Sequence, residues 1–237
     1  MSARRPVVTI DGPAGAGKST VSRALAERLG FTYLDTGALY RAVALAAGDD
    51  PARARRIDAT DSGAVSPDDE AALAALARAL PLAFSDNGAR LAIGGRDVTS
   101  AIRTPEISQR ASKISALPAV RAALLEVQRR IGAAGGIVVE GRDAGSVVFP
   151  DAEVKFFLTA DLAERGRRRA AELRARGIEA DEEAVRRDIE SRDARDAERA
   201  AAPLVRPEGA LVVDTSGLSV EQVIQRLHDV VTTRDRS

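Results

Sequence analysis

The stretch Gly12-Pro13-Ala14-Gly15-Ala16-Gly17-Lys18-Ser19-Thr20 constrains this chain more than any other. Before it lies the β-branched apolar run Val7-Val8-Thr9-Ile10, which reads as a buried strand. After it, Val21, Leu25 and Leu29 share one face of an amphipathic helix. Gly12 through Ser19 fit G-x-x-x-x-G-K-[ST] in the strand–loop–helix setting that a phosphate-binding loop requires. Gly15 and Gly17 carry no Cβ, so the backbone can curl and aim successive N–H groups at one anion. The positive end of the following helix strengthens that field. Lys18 is placed to neutralise the outer phosphates, and the Ser19 hydroxyl to ligate Mg²⁺.

A chain of 237 residues suits one large α/β domain with an insertion. Its formal net charge is zero, which implies no global basic field for nucleic acid or membrane. Only Lys18, Lys113 and Lys155 are lysine, so the basic residues are almost all arginine and their local clusters carry the information. With no cysteine there is neither a disulfide scaffold nor a thiolate metal site, which is compatible with a reducing cytoplasm. The basic start, Met1 to Arg5, runs straight into the first strand and no long apolar segment follows, so neither a signal peptide nor a membrane span is expected.

Gly30 ends the first helix, Phe31-Thr32-Tyr33-Leu34 reads as a second strand, and a helix follows over roughly Ala38 to Ala47. Such β–α alternation predicts a parallel sheet with ligands beyond its carboxyl ends, which puts Thr36 and Arg41 on the rim of the phosphate loop. The pattern breaks between about residues 49 and 104. Ser66-Pro67-Asp68-Asp69 opens a helix that stops at Pro81. Leu82-Ala83-Phe84 and Arg90-Leu91-Ala92-Ile93 then flank Asp86-Asn87-Gly88, a hairpin signal, and Arg96 to Thr99 can add a third strand. An antiparallel patch of this kind predicts an inserted subdomain with a small core.

Helices are predicted from Thr104-Pro105-Glu106 and from Pro118, and strands at Ile137-Val138-Val139, Lys155 to Leu158 and Leu211 to Val213. Ser219-Val220-Glu221-Gln222 is a capping box for the last helix. Between Asp161 and about Arg199 the chain is helical, charged and broken near Gly177, and residues 160–190 read as a lid. Arg165 to Arg169 suit equally a solvated, salt-bridged face and an anion contact. Arg192, Arg195, Asp196 and Arg199 share one helix face, and three arginines there favour an anionic ligand. His228, the only histidine, is expected at the surface and outside the chemistry.

A phosphate loop implies a nucleoside triphosphate without fixing the reaction. A regulatory GTPase needs an Asn-Lys-x-Asp base reader, and the only asparagine here is Asn87, in the hairpin. Donor loop, inserted subdomain and arginine-rich lid are the three parts a small-molecule kinase needs. A protein that hydrolyses ATP slowly without an acceptor is the alternative outside that class.

Residues 8–20, then Leu34-Asp35-Thr36-Gly37-Ala38-Leu39-Tyr40-Arg41, closely resemble the bacterial cytidylate kinase family. So do Glu140-Gly141-Arg142-Asp143-Ala144-Gly145, Val147 to Ala152, Arg192-Asp193-Ala194-Arg195-Asp196 and Ala202-Pro203-Leu204, in the same order along nearly the whole chain. The resemblance implies a P-loop NTPase fold, three-layer α/β/α around a central parallel sheet, with an inserted acceptor-binding subdomain and a helical lid. It implies transfer of the ATP γ-phosphoryl group to CMP or dCMP with Mg²⁺. No exposed apolar stripe stands out in the sequence, so a monomer is expected, in the cytoplasm and without nucleic acid or membrane partners. Thr36, Arg41 and Arg142 would hold the CMP phosphate. Ser112, Arg121 and Asp143 would read cytosine, and Arg192 with Asp196 would meet the pentose. Lys18, Arg142 and Arg199 would serve catalysis, with a lid arginine such as Arg165 or Arg169 near the transferring group. A related kinase acting on UMP, or on both pyrimidine monophosphates, is the alternative within the class.

Overall fold

The apolar run ahead of the phosphate loop forms β1 (Val7–Asp11), buried along its whole length. In the computed structural model, which describes residues 5–60, 65–198 and 201–234, β1 is the central strand of a sheet. Strands β6 (Ile137–Glu140) and β7 (Val154–Thr159) flank β1 in parallel, and β8 (Leu211–Asp214) pairs in parallel with β7. With β2 (Thr32–Asp35) the order is β2-β6-β1-β7-β8. The register sets Ile10 beside Glu140 on one side and Phe156 on the other. The carboxyl ends of β1 and β6 therefore lie side by side, as the strand–helix alternation predicts. Val8, Ile10, Phe156 and Leu158 are fully buried, each contributing roughly 1.5–3 kcal/mol by leaving water.

The chain divides into two compact units. The first, Met1–Thr32 with Ala134–Ser237, holds most of the parallel sheet with α1 (Lys18–Leu29), α7 (Leu162–Ala175), α8 (Glu182–Glu198) and α9 (Val220–Arg234). Helix α1 packs beside α9, where Leu25 and Leu227 are fully buried. The predicted capping box is present: Ser219 N–H donates to Gln222 Oε1 at 2.9 Å, and Gln222 N–H to Ser219 Oγ at 3.2 Å. Among the described residues no helix is long and apolar enough to cross a membrane.

The second unit, Tyr33–Ala133, contains α2 (Thr36–Ala46), α3 (Pro51–Ala59), α4 (Pro67–Ala79), α5 (Pro105–Ile114) and α6 (Pro118–Gly132). Four of these helices begin with proline, whose missing N–H costs nothing at a first turn. Strands β3 (Leu82–Ser85), β4 (Arg90–Ile93) and β5 (Arg96–Asp97) form the predicted antiparallel sheet. The sheet alone would have little core, for only Leu91 among its strand residues is fully buried. Helices supply the rest: Leu39 and Val43 of α2, Leu73 of α4, Ile114 of α5 and Leu124 of α6 meet in one apolar cluster.

Helix α3 has no predicted counterpart. It is short and buries only Ala54 and Ile57. Asp50 caps it, and it is held by bidentate ion pairs, Arg56 to Asp69 of α4 at 2.7 and 2.8 Å and Asp58 to Arg110 of α5 at 2.6 and 2.9 Å. The Arg56 hydrogen bonds push the Asp69 carboxyl down to about 2. His228 is half-buried on α9, rather than fully at the surface, with Nδ1 3.8 Å from Asp229.

Candidate active site

The phosphate loop joins β1 to α1 as predicted. Gly12, Gly15 and Gly17 all take positive φ, at 145°, 77° and 85°. Gly12 is also irreplaceable by contact, since a Cβ there would lie 2.1 Å from the Leu158 carbonyl oxygen. Pro13, Ala14 and Ala16 complete the curl. Lys18 is buried and its Nζ donates to the Pro13 carbonyl at 2.6 Å. Burial, and behind it the Arg142 guanidinium, pushes the Lys18 ammonium well below the usual lysine range. A cation so poorly solvated gains most from a nearby polyanion.

Ser19 Oγ donates to Glu140 Oε1 at 2.7 Å, joining the first turn of α1 to the end of β6. Hydroxyl and carboxylate together form a hard oxygen donor pair. Among the described residues no group of three or more His, Cys, Asp or Glu side chains could cage a metal. That combination suits Mg²⁺, which binds through one or two protein oxygens and completes its shell with phosphates and water. Thr20 is exposed beside Ser19.

Helices α7 and α8 meet the same loop. The N–H of Ala14 donates to Asp193 Oδ1 at 3.0 Å, while Arg165 donates to the Ala14 carbonyl at 2.9 Å and to Asp193. Ala14 of the phosphate loop is thus gripped through both its N–H and its carbonyl. The backbone approaches closely as well, for a Cβ on Gly15 would lie 2.9 Å from that of Arg165. The other arginines of α7 are engaged elsewhere: Arg167 and Arg168 pair with Glu164, Arg168 also reaches Thr215, and Arg169 pairs with Glu172. Those pairings match the salt-bridged alternative for Arg167, Arg168 and Arg169.

Beyond β6, Arg142 Nε donates to Asp196 Oδ2 at 3.0 Å, and Asp143 and Asp196 are buried. Arg192 lies one turn before Asp196 on α8 and is half-buried. Arg199 lies outside the described residues. The first unit therefore brings together Lys18, Ser19, Glu140, Arg142, Asp143, Arg192 and Asp196, residues drawn from three separated stretches of the chain.

The second unit holds Thr36, Arg41, Ser112 and Arg121. Asp35 caps α2 by accepting from Ala38 N–H at 3.0 Å, and also accepts from Arg41 at 2.5 Å. Arg41 Nε is buried with no protein acceptor, and so is the Ser112 hydroxyl on α5. Thr36 is buried at the start of α2. Arg121 on α6 is buried, donates to the Ser115 carbonyl at 3.0 Å and lies 5.7 Å over the Tyr40 ring. Buried polar atoms that lack protein partners are where a polar ligand binds best.

No role for Asp11, Asp35 or Asp193 follows from the motifs of the sequence. Asp35 carries a signal, its place three residues before Ala38 at a helix start.

The family model for cytidylate kinase matches residues 8–233. The chain belongs to the cytidylate kinase family. Among curated members of the family, it is 47% identical to the cytidylate kinase of Geobacter sulfurreducens over 233 residues, covering 98% of this chain and 94% of the relative. It is 44% identical to that of Syntrophotalea carbinolica over 235 residues, with 98% and 94% covered. Among solved structures, an uncharacterised protein from Eubacterium ventriosum aligns with a TM-score of 0.51 over 97% of this chain and 99% of that one. At 11% identity that likeness concerns the fold alone. In this cytidylate kinase family member, the phosphate loop and the Arg142–Asp196 pair both lie in the first unit.

Proposed function

We propose that this cytidylate kinase family member transfers the γ-phosphoryl group of ATP to CMP or dCMP, giving ADP and CDP or dCDP. Membership of the family over residues 8–233 carries the reading. The loop of residues Gly12 to Thr20 cradles the donor phosphates through its N–H groups, and Lys18 neutralises charge on the transferring group. Ser19, with Glu140 beside it, holds Mg²⁺, which supplies charge neutralisation and alignment of the triphosphate.

Thr36, Arg41 and Arg142 hold the acceptor phosphate. That phosphate is mostly dianionic at neutral pH, its second pKa being about 6. One of its oxygens attacks the γ-phosphorus, the bond to the β-bridging oxygen breaks, and the electron pair leaves on ADP. The nucleophile carries no proton, so no general base is needed. Catalysis reduces to alignment and charge neutralisation by Lys18, Arg142 and Arg199. Arg192 and Asp196 meet the pentose. Residues 49–104, which fall in the sequence range of the unit Tyr33–Ala133, serve as the acceptor-binding subdomain, and residues 160–190 serve as the lid. The protein works as a monomer in the cytoplasm, without nucleic acid or membrane partners.

Ser112, Arg121 and Asp143 read the base. Cytosine presents an amino donor at N4, which a carboxylate accepts, and its ring acceptors suit a guanidinium. Uracil presents a carbonyl where cytosine has the amine, and a carboxylate repels it. Asp143→Ala is therefore expected to lower the ratio of kcat/KM for CMP over UMP by roughly 10- to 100-fold, the worth of one well-placed base contact. An unchanged ratio would remove Asp143 from the base-reading set.

A further inference from the structure

Asp11 ends β1 and is completely buried, yet nothing in the reaction above uses it. Its two carboxylate oxygens serve different amides: Oδ1 accepts from Ala144 N–H at 2.8 Å, and Oδ2 from Gly145 N–H at 2.7 Å. Those are the first two residues after Arg142-Asp143. They open a π-helical turn, Ala144–Val148, whose later amides return to the Asp143 carbonyl at 2.9 and 3.1 Å. Amides that open a turn have no partner within it, and Asp11 satisfies them as a cap does.

The approach is close. A Cβ on Gly145 would lie 2.6 Å from Thr9 Oγ1 and 3.2 Å from Asp11 Oδ2. Thr9 Oγ1 is itself buried with no hydrogen-bond partner. On its other side Asp11 is followed at once by Gly12 of the phosphate loop. Burial pushes the Asp11 carboxyl up to about 6 against the pull of the two amides, and the charge of Asp143 acts in the same direction as burial. A carboxylate buried at such cost does more than a neutral side chain could.

We infer that Asp11 is a positioning residue for acceptor recognition. It pins the turn carrying Arg142 and Asp143 to the strand that ends in the phosphate loop, so the acceptor contacts keep a fixed offset from the donor loop. The inference rests on the reading of Arg142 and Asp143 as acceptor-binding groups. Misplacing such groups by about 1 Å costs on the order of 100-fold.

Asp11→Asn preserves shape but offers one oxygen to two amides and sets an NH₂ against the other. With ATP saturating, the KM for CMP is expected to rise about 10-fold or more, while the KM for ATP stays within about threefold. CMP-over-UMP selectivity is expected to fall, and to fall no further when Asp11→Asn is added to Asp143→Ala. A lower melting temperature with KM for CMP and selectivity unchanged would make Asp11 a purely structural residue and overturn the inference. If Asp11→Asn does not fold, Gly145→Ala disturbs the same contact from the turn, and an unaltered KM for CMP in that variant overturns the inference equally. Asp143→Ala alone separates two failures. Retained selectivity there would defeat the reading of Asp143 as a base reader, and with it this inference, which rests on that reading. Lost selectivity there, beside an indifferent Asp11→Asn, would defeat this inference alone.

Discussion

Lys18→Ala is expected to lower phosphoryl transfer on the order of 10³-fold or more while the protein stays folded. The two halves of that expectation come from one observation. Lys18 is buried, and its ammonium is held below the usual lysine range by burial first and by Arg142 second. A lysine with a depressed folded-state pKa binds its proton less readily in the native state than in the unfolded chain. At neutral pH it therefore subtracts from stability, and that penalty fades as pH rises through the folded pKa toward 10.5. Removing the side chain relieves the penalty and sacrifices one hydrogen bond, Nζ to the Pro13 carbonyl, worth about 1 kcal/mol. Thermal melts should show the variant to be about as stable as the parent, or more so, while coupled assays show transfer nearly abolished. A large loss of stability together with activity would mean that Lys18 props the loop rather than serving the phosphates.

Gly88→Ala is expected to be the most damaging single-methyl change in the second unit, and for a reason local to one contact. Gly88 has φ 87°, and a Cβ there would lie 1.7 Å from the Tyr33 carbonyl oxygen. Gly95, in the next turn of the same sheet, has φ 81° and nothing within 4 Å of its Cβ position. Both variants suffer the backbone strain of a left-handed residue, about 1–2 kcal/mol. Only Gly88→Ala adds a clash with backbone, and overpacking of that kind costs about 1–3 kcal/mol more. Denaturant unfolding of the two variants should therefore separate them clearly, with Gly88→Ala the weaker. Equal losses would mean that β2 yields to the added methyl.

That pair shows what a sequence discloses and what it withholds. Asp86-Asn87-Gly88 between two apolar runs announces a hairpin, and β3 and β4 pair as expected. The left-handed turn itself favours glycine at 88, but the close approach of the Tyr33 carbonyl comes from far away in the chain and no local pattern carries it. The phosphate loop, the four parallel strands that follow it (β2, β6, β7 and β8) and the capping box at Ser219 are legible because each is specified within a few residues. Helix α3 is less plainly specified by its own residues. It buries only two side chains and is held by Asp69 and Arg110 from other helices, although Asp50-Pro51 is a cap-and-proline pair.

The same contrast runs through the site. Lys18 and Ser19 stand at fixed offsets inside a motif. Asp11 acts on amides more than a hundred residues away, and Asp193 on Ala14 across a similar span. Neither acid has a pattern of its own, so only the folded chain assigns it a partner. Arg165 is the plainest case. Within a run of arginines its sequence does not set it apart from Arg167, Arg168 and Arg169, yet it alone of the four donates to the Ala14 carbonyl and pairs with Asp193.

The most direct test of the whole account is ADP release from ATP and Mg²⁺, measured with CMP, dCMP, UMP, AMP and GMP in turn. Fast release that depends on CMP or dCMP, with AMP and GMP inert, is the predicted result. Release that proceeds at one slow rate whatever the acceptor would contradict it.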